Sequence, residues 1–390
     1  MKRRPGVNPR LSLLPPYLFV ALDRKRAAAK AQGRDIISLG IGDPDLPTPS
    51  FIVSELARAA ADPSNHRYPE GRGSAEFRRA AAAFMARKYG VELDPEREVT
   101  ALIGSKEGIG HLPLALAGPG GTVYAPDLGY PVYASSAVLA GARTVTFPLR
   151  ERAGFLPDFD AKPLAGPGRP GVLFMNYPNN PTGARCPAGT FDAAIRWARG
   201  RGSWLAHDAA YAEAFLDGRR PPSLLSRPGA MGCGIEFHSL SKTFNMTGWR
   251  VGWACGCSRA VAALAEVKSN LDSGVFSAVQ SAAAAALSQG DAAADAMRAR
   301  IAGRRRLAVP LLEGAGWTVF PSDATFYLWC RPPVRMTSAA CAERMLDEAD
   351  VLATPGNGFG KGGEGWVRFA LTTGEDRLKE AFARVSRLRW

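Results

Sequence analysis

The chain has 390 residues, 46% hydrophobic and 22% charged, which describes a globular protein with a sizeable core and excludes disordered and fibrous classes. Its 49 basic residues against 36 acidic ones leave a formal net charge of +13. The arginines are nevertheless spread through an Ala/Arg/Gly-rich background with no basic run interleaved with aromatics, so the charge reads as solvated surface with some attraction for anionic ligands, and no nucleic-acid partner is expected. Six scattered cysteines without a CxxC pair, beside only four histidines, point to neither a metal centre nor a disulfide framework and fit a reducing cytoplasm.

In chain order, Lys2, Arg3 and Arg4 precede an apolar stretch from Leu11 to Leu22 that loosely mimics a signal peptide. Pro15 and Pro16 interrupt it, and Asp23, Arg24, Lys25 and Arg26 follow where a small-residue cleavage site is needed. No apolar run approaches the length of a membrane span. The expectation is a cytoplasmic protein without a membrane partner.

Short apolar runs then alternate with amphipathic, Ala-rich segments, the pattern of a mainly parallel sheet covered by helices on both faces. Seven strands are expected at residues 99–103, 122–125, 143–147, 172–175, 203–207, 235–238 and 251–255. Helices are expected at 107–117, 132–140 and 188–199, with one long helix from 259 to about 287. Beyond it the spacing changes. A helix over 292–312, strands at 317–320 and 326–329 and a final helix from about 376 predict a smaller α+β domain. The expected division is an N-terminal arm (1–45) contributing to the small domain, a large domain (46–275) and a small C-terminal domain (276–390). Residues 163–171 and 218–228 read as loops, and no repeat is present.

Polar groups with chemical potential follow directly on several strand ends, the edge at which open α/β sheets bind ligands. After the strand at 99–103 comes GSKEG, Gly104 to Gly108, a strand-to-helix turn whose N–H groups at Ser105, Lys106 and Glu107 suit a phosphate. After the strand at 172–175 comes NYPNNPTG, where Asn180 can hydrogen-bond a phenolate and Pro181 and Gly183 set a tight turn. After the strand at 203–207 comes Asp208, able to hold a pyridine nitrogen protonated, with Tyr211 three residues on and able to share the phenolate oxygen with Asn180. Taken singly, each is a common turn, cap or helix start.

The stretch from Glu236 to Trp253, EFHSLSKTFNMTGWRVGW, gives these groups a common purpose. A lysine amine condenses with the aldehyde of pyridoxal phosphate, and Ser239, Ser241 and Arg250 offer hydrogen bonds and positive charge to the phosphate. Lys242 follows what reads as a buried strand, where a lysine needs a task.

With these residues in this order, the chain resembles a class I/II aminotransferase of the fold-type-I pyridoxal-phosphate superfamily, over nearly its whole length. The resemblance implies that Lys242 carries the cofactor aldehyde, that Ser239, Ser241 and Arg250 bind its phosphate, and that Asp208, Tyr211 and Asn180 hold its ring. It also implies that Tyr130, in PDLGYPVY, stacks on the ring. Tyr68, in HRYPEGRG, would reach the phosphate of a neighbouring subunit in a homodimer, and Arg368, in GWVRFAL, would clamp a substrate α-carboxylate. The implied reaction is ping-pong transfer of an amino group between an amino acid and a 2-oxo acid such as 2-oxoglutarate, with Lys242 moving the Cα proton.

Within the family, LPPYLF, SLGIGDPDLPTP, GSKEG, GYPVY, SKTFNMTGWR and KSNLDSG are most similar to the LL-diaminopimelate aminotransferases of lysine biosynthesis. On that resemblance Tyr17, Gly42, Lys106 and Asn270 contact substrate. His207 departs from the pattern, standing where many relatives carry tyrosine or a small apolar residue. Aspartate, alanine, aromatic and succinyldiaminopimelate aminotransferases share the same motifs, and a carbon–sulfur β-lyase would use the same scaffold. A regulator with an aminotransferase-like sensor is disfavoured, since the stretch ahead of Ser38 is too short for a helix-turn-helix and its linker.

Overall fold

Strands buried on both faces require a layer of helices on each side. Every residue from Gly171 to Asn176 and from Gly234 to Ser239 is buried, and the fold is built around them. The computed structural model describes residues 6–15, 18–165 and 168–390. Its strands are β1 (Ile37–Ser38), β2 (Val99–Leu102), β3 (Thr122–Pro126), β4 (Arg143–Phe147), β5 (Gly171–Asn176), β6 (Trp204–Asp208), β7 (Gly234–Ser239), β8 (Gly252–Gly256), β9 (Thr318–Val319), β10 (Tyr327–Arg331), β11 (Val351–Leu352), β12 (Thr354–Pro355) and β13 (Val367–Ala370).

Seven of these form the central sheet in the order β2-β8-β7-β6-β5-β3-β4. All neighbours run parallel except β8, which is antiparallel to both β2 and β7. Apolar side chains from the two faces enter separate clusters. Leu173, Met175 and Leu205 pack with Phe191, Trp197 and Ala198 of the helix Ala188–Arg201, while Val172, Phe174 and Phe237 pack with Ile109, Leu112 and Leu264 on the other side. Adjacent strand residues divide between the clusters because side chains alternate across a sheet.

A second, four-stranded sheet has the order β12-β13-β10-β9, with all pairs antiparallel. The N-terminal segment lies beside it: β1 pairs in parallel with β11 at Ile37↔Val351 and Ser38↔Leu352 as a separate two-stranded sheet, and the Leu39 carbonyl accepts the Ala370 N–H at 2.7 Å. Arg304, buried in the helix Asp291–Gly314, ties this segment down by donating to both carboxylate oxygens of Asp45 at 2.7 Å and to the carbonyl of Leu371 at 2.9 Å.

The expected strands of the central sheet agree with the observed ones to within a residue or two at each end. The long helix expected from 259 to about 287 is instead two, Ser258–Leu271 and Ser277–Gln289. Asp272 accepts the Gly274 N–H at 2.9 Å, and Gly274 has φ of +87°, so the Asp-Ser-Gly turn ends the first helix. The helices Leu18–Ala31, Ser50–Ala60, Ala75–Tyr89 and Ser338–Ala349, and strand β13, have no counterpart in the reading of the sequence. Among the described residues no helix is long and apolar enough to cross a membrane.

Candidate active site

The C-terminal ends of β5, β6 and β7 are adjacent because these strands are parallel and in sequence-consecutive order. Asp208 is the last residue of β6 and Ser239 the last of β7. A single turn, Leu240–Thr243, then carries Ser241 and Lys242 back over the sheet edge. One cavity lies there, lined by Asp208, Ser239, Ser241 and Lys242 from these ends, by Asn176 ending β5 and Asn180 in the loop after it, and by Ser105 and Lys106 opening the helix Ser105–Leu116. Tyr130, Tyr211, Arg250, Gly42 and Tyr327 complete the wall.

Asp208 is buried. Burial raises its carboxyl above the usual range, and hydrogen bonds from the Tyr133 hydroxyl (2.7 Å, to Oδ2) and the Ala210 N–H (3.2 Å, to Oδ1) offset only part of that. A buried carboxylate so placed calls for a cation or N–H donor from whatever fills the cavity. Tyr133 is itself held as a phenol, since burial and the nearby Asp208 push its pKa far up.

The Lys242 amine donates to the Gly42 carbonyl at 3.1 Å. Its pKa falls to about 8, first from burial and then from repulsion by Arg250 and Arg368, against the attraction of Asp43 and Asp208. About a tenth is therefore a neutral amine, and so nucleophilic and basic, at pH 7, far more than for an ordinary lysine.

Arg250 adopts φ of +54°, a left-handed conformation that costs a non-glycine residue about 1–3 kcal/mol and is retained where side-chain aim matters. Its Nη1 donates to the Thr247 carbonyl at 2.9 Å. Gly104 (φ +73°) leaves room for it: a Cβ there would lie 2.9 Å from Cζ of Arg250. A Cβ at Gly252 would lie 3.1 Å from the N–H nitrogen of Ser105. Arg250, Ser105 and the start of the helix thus converge on one spot, a cradle for an anion.

Arg368 lies in the interior of the second sheet on β13 and is fully buried. It stands behind the cavity wall, donating to Asn180 Oδ1 at 2.8 Å and to the Gly40 carbonyl at 2.6 Å, with its guanidinium 4.0 Å from the centroid of the Tyr327 ring. Tyr327 in turn shares a 2.9 Å hydrogen bond with the Tyr211 hydroxyl.

Several expected residues lie elsewhere. Glu107 does not reach the cavity: its Oε2 accepts from the buried Lys268 ammonium at 3.0 Å and from the Ile103 N–H at 2.9 Å, and its own N–H is bonded to the Gly104 carbonyl. Lys268 also donates to Asp272, so this lysine is the cation of the Glu107–His111–Asp272 cluster. Tyr211 and Asn180 do both line the cavity, with the Tyr211 hydroxyl bonded to Tyr327 and the Asn180 carbonyl oxygen to Arg368. Asn270 is exposed and bonded to Glu266 of its own helix, and Tyr68 is 90% exposed, both outside the cavity. Tyr17 lies outside the described residues.

Three residues of the site carried no signal of their own in the sequence. Tyr133 is the second residue of the helix Val132–Ala140, which begins just after Tyr130, and nothing in PDLGYPVY sets it apart from an ordinary core tyrosine. Asn176 donates to the Asp208 carbonyl and accepts the Asn180 N–H, both at 2.8 Å. Tyr327 sits in an apolar run, FYLWC, that reads as plain core.

A parallel sheet whose strand ends present a depressed lysine, a buried carboxylate and an anion cradle is the framework of an amino-group transferase. Residues 34–385 match the family described as aminotransferase class I and II, and the chain belongs to that family. It is an enzyme of the transaminase type, and the family and fold imply dependence on pyridoxal phosphate. The chain is 48% identical over 379 residues to the LL-diaminopimelate aminotransferase of Moorella thermoacetica, covering 97% of both chains. Among solved structures it is similar to substrate-bound BacF from Bacillus subtilis, with a TM-score of 0.95 and 34% identity over 99% of both chains. It is also similar to N-succinyldiaminopimelate aminotransferase from Mycobacterium tuberculosis, with a TM-score of 0.90 and 32% identity over 98% of this chain and 99% of that one.

Proposed function

We propose that the enzyme holds pyridoxal phosphate on Lys242 and moves an amino group from LL-diaminopimelate to a 2-oxo acid such as 2-oxoglutarate. The observation that carries the reading is the depressed amine of Lys242 set between the Asp208 carboxylate and the Arg250 cradle; the substrate rests on the 48% identity to a diaminopimelate enzyme. When bound, the cofactor supplies an electron sink for the pair left on Cα after its proton departs.

The residues fit that group. Arg250, Ser105, Lys106, Ser239 and Ser241 would take the phosphate, and Tyr130 would lie on the ring face. Asp208 would hold the ring nitrogen protonated, which also supplies the cation its burial demands. Asn180 and Tyr211 would donate to the ring oxygen, which requires Asn180 to present its amide N–H while its carbonyl oxygen stays on Arg368. Lys242 Nζ would take the proton from substrate Cα and return it one carbon away, acting as base and then acid from the same position. Arg368 would give the α-carboxylate a two-pronged hold through a guanidinium already oriented by Tyr327.

The working unit is proposed to be a homodimer in the cytoplasm, with Gly42, Lys106, Tyr17 and Asn270 near substrate. Gly274 packs against Pro69, Glu70 and Gly71, which brings the chain that carries Tyr68 against the turn between Leu271 and Phe276. Tyr68, Leu271 and Phe276 are 90%, 57% and 45% exposed, apolar surface that a second copy would cover while delivering Tyr68. All six cysteines are free and buried, which supports a reducing compartment.

The test is a comparison of kcat/KM for LL-diaminopimelate, N-succinyl-LL-diaminopimelate, aspartate and alanine as donors to 2-oxoglutarate. The reading expects LL-diaminopimelate to lead by at least about tenfold. A lead for the succinylated donor would replace it.

A further inference from the structure

Behind the site, Glu236 on β7 is buried and accepts four hydrogen bonds. They come from Nδ1 of His207 and Nε2 of His238, each at 2.8 Å, and from the Ser223 hydroxyl and the Leu224 N–H, each at 2.9 Å. The Ser223 oxygen already accepts the Leu225 N–H at 3.0 Å, so its proton goes to Glu236. Burial alone would raise the Glu236 carboxyl, but the bonds from His207 and His238 outweigh it and hold the group ionised.

The other ring nitrogen of His207, Nε2, lies 2.9 Å from the Tyr177 carbonyl. An ionised carboxylate and a carbonyl are acceptors only, so each ring nitrogen of His207 faces an oxygen acceptor. The ring meets Phe191 edge to face, with centroids 4.8 Å apart.

This arrangement laces the strand ends that carry the site. His207 reaches from β6 to Tyr177, just past β5, while Asn176 at the end of β5 reaches back to the Asp208 carbonyl at 2.8 Å. Asn176 also fixes the Asn180 N–H at 2.8 Å. The segments 176–177 and 207–208 are thereby tied by two opposed hydrogen bonds, His207 to Tyr177 and Asn176 to Asp208, and Glu236 anchors His207 to β7.

We propose that His207, held between Glu236 and the Tyr177 carbonyl, is a positioning residue of the active site that sets the spacing between Asp208 and Asn180. These are the groups that would grip the two polar positions of the cofactor ring. The catalytic consequence rests on the cofactor reading above; the placement of His207 does not.

The experiment uses the cofactor-loaded enzyme labelled with nitrogen-15 histidine. The ring signals of His207, assigned by their loss in H207Q, should show ring N–H protons protected from exchange with solvent. A His207 ring whose N–H exchanges freely overturns the proposal. His207→Phe fills the space with no donor and should lower kcat by about 10–100-fold, as is usual when an orienting partner behind a reactive group is lost. It should also shift the pH at which the bound cofactor's absorption band converts, with KM for the amino donor changed by less than about threefold. H207Q, which can still donate to Tyr177, should recover part of both effects. If H207F, or H207Q should the phenylalanine variant not fold, lowers only the melting temperature and leaves kcat and the spectrum as in the parent, the positioning role is overturned. A parent enzyme that binds the cofactor but uses no amino donor would sink the substrate reading, while the histidine signal and the spectrum would still decide the role of His207.

Discussion

The hydroxyl of Tyr133 donates to Oδ2 of Asp208 across 2.7 Å in a region closed to water. A phenol cannot accept the carboxylate's proton at neutral pH, so it acts only to favour the ionised form of Asp208. Tyr133→Phe removes this one donor to a charged group, worth about 1.5–3 kcal/mol. We expect kcat/KM to fall at least about tenfold, with weaker cofactor binding measured by absorbance titration and an unchanged fold by circular dichroism.

Asp208→Asn separates function from stability. Burial raises the Asp208 carboxyl in the folded protein. A raised carboxyl contributes stability only while protonated, a contribution present below the unfolded value of about 3.9 and lost as pH rises through the higher folded value. At neutral pH the cofactor-free protein therefore carries a costly buried charge. The asparagine variant should be more stable than the parent by about 1 kcal/mol without cofactor in chemical denaturation at pH 7, yet about 10²–10³-fold less active.

The amine of Lys242, lowered to about 8 by burial and by repulsion from Arg250 and Arg368, sets the pH dependence of cofactor capture. Below that value the amine is protonated, so the rate at which cofactor-free protein takes up the aldehyde should rise about tenfold per pH unit and level off above it. Arg250→Gln should move the midpoint upward, because a repelling cation is gone. Stopped-flow absorbance between about pH 6 and 10 reads both.

Gly104→Ala places a methyl group against the Arg250 guanidinium at a backbone conformation, φ +73° and ψ 152°, reserved for glycine. The strain should cost about 1–3 kcal/mol, and the displaced guanidinium should weaken phosphate binding by at least about tenfold. Thermal unfolding of the cofactor-free protein and a titration with pyridoxal phosphate distinguish the two losses.

The Asp45–Arg304 pair docks the N-terminal segment on the second sheet. Burial would raise the Asp45 carboxyl, but Arg304 outweighs it and the value is lowered. The resulting stability is present above about pH 3.9 and lost as pH falls through the lower folded value. Arg304→Ala should cost about 2–3 kcal/mol, below the figure for a wholly buried pair because Asp45 is partly exposed, and should flatten this acid limb in denaturant titrations.

The residues legible in the sequence are those whose role follows from their place at a strand end. Asp208, Asn180, Ser239 and Lys242 each come directly after a recognisable apolar run, and parallel pairing alone brings them to one edge. What escaped depends on contacts distant in the chain. Glu107 is drawn from the phosphate turn by Lys268, which is 161 residues away. Tyr327 belongs to the second sheet, and only the antiparallel pairing of β10 with β13 sets it, with the Arg368 that the family resemblance had named, beside Tyr211 and Asn180. The break at Asp272 was legible as turn chemistry, yet the apolar periodicity on either side reads straight through it.

The most direct test of the central claim is borohydride reduction of the cofactor-loaded enzyme, followed by peptide mass spectrometry, before and after adding LL-diaminopimelate without an acceptor. The account predicts the cofactor covalently fixed on Lys242 before addition and absent from it afterwards, with one 2-oxo product formed per site. Label on another lysine, such as Lys106 or Lys268, or label that stays on Lys242 after the amino donor is added, would contradict it.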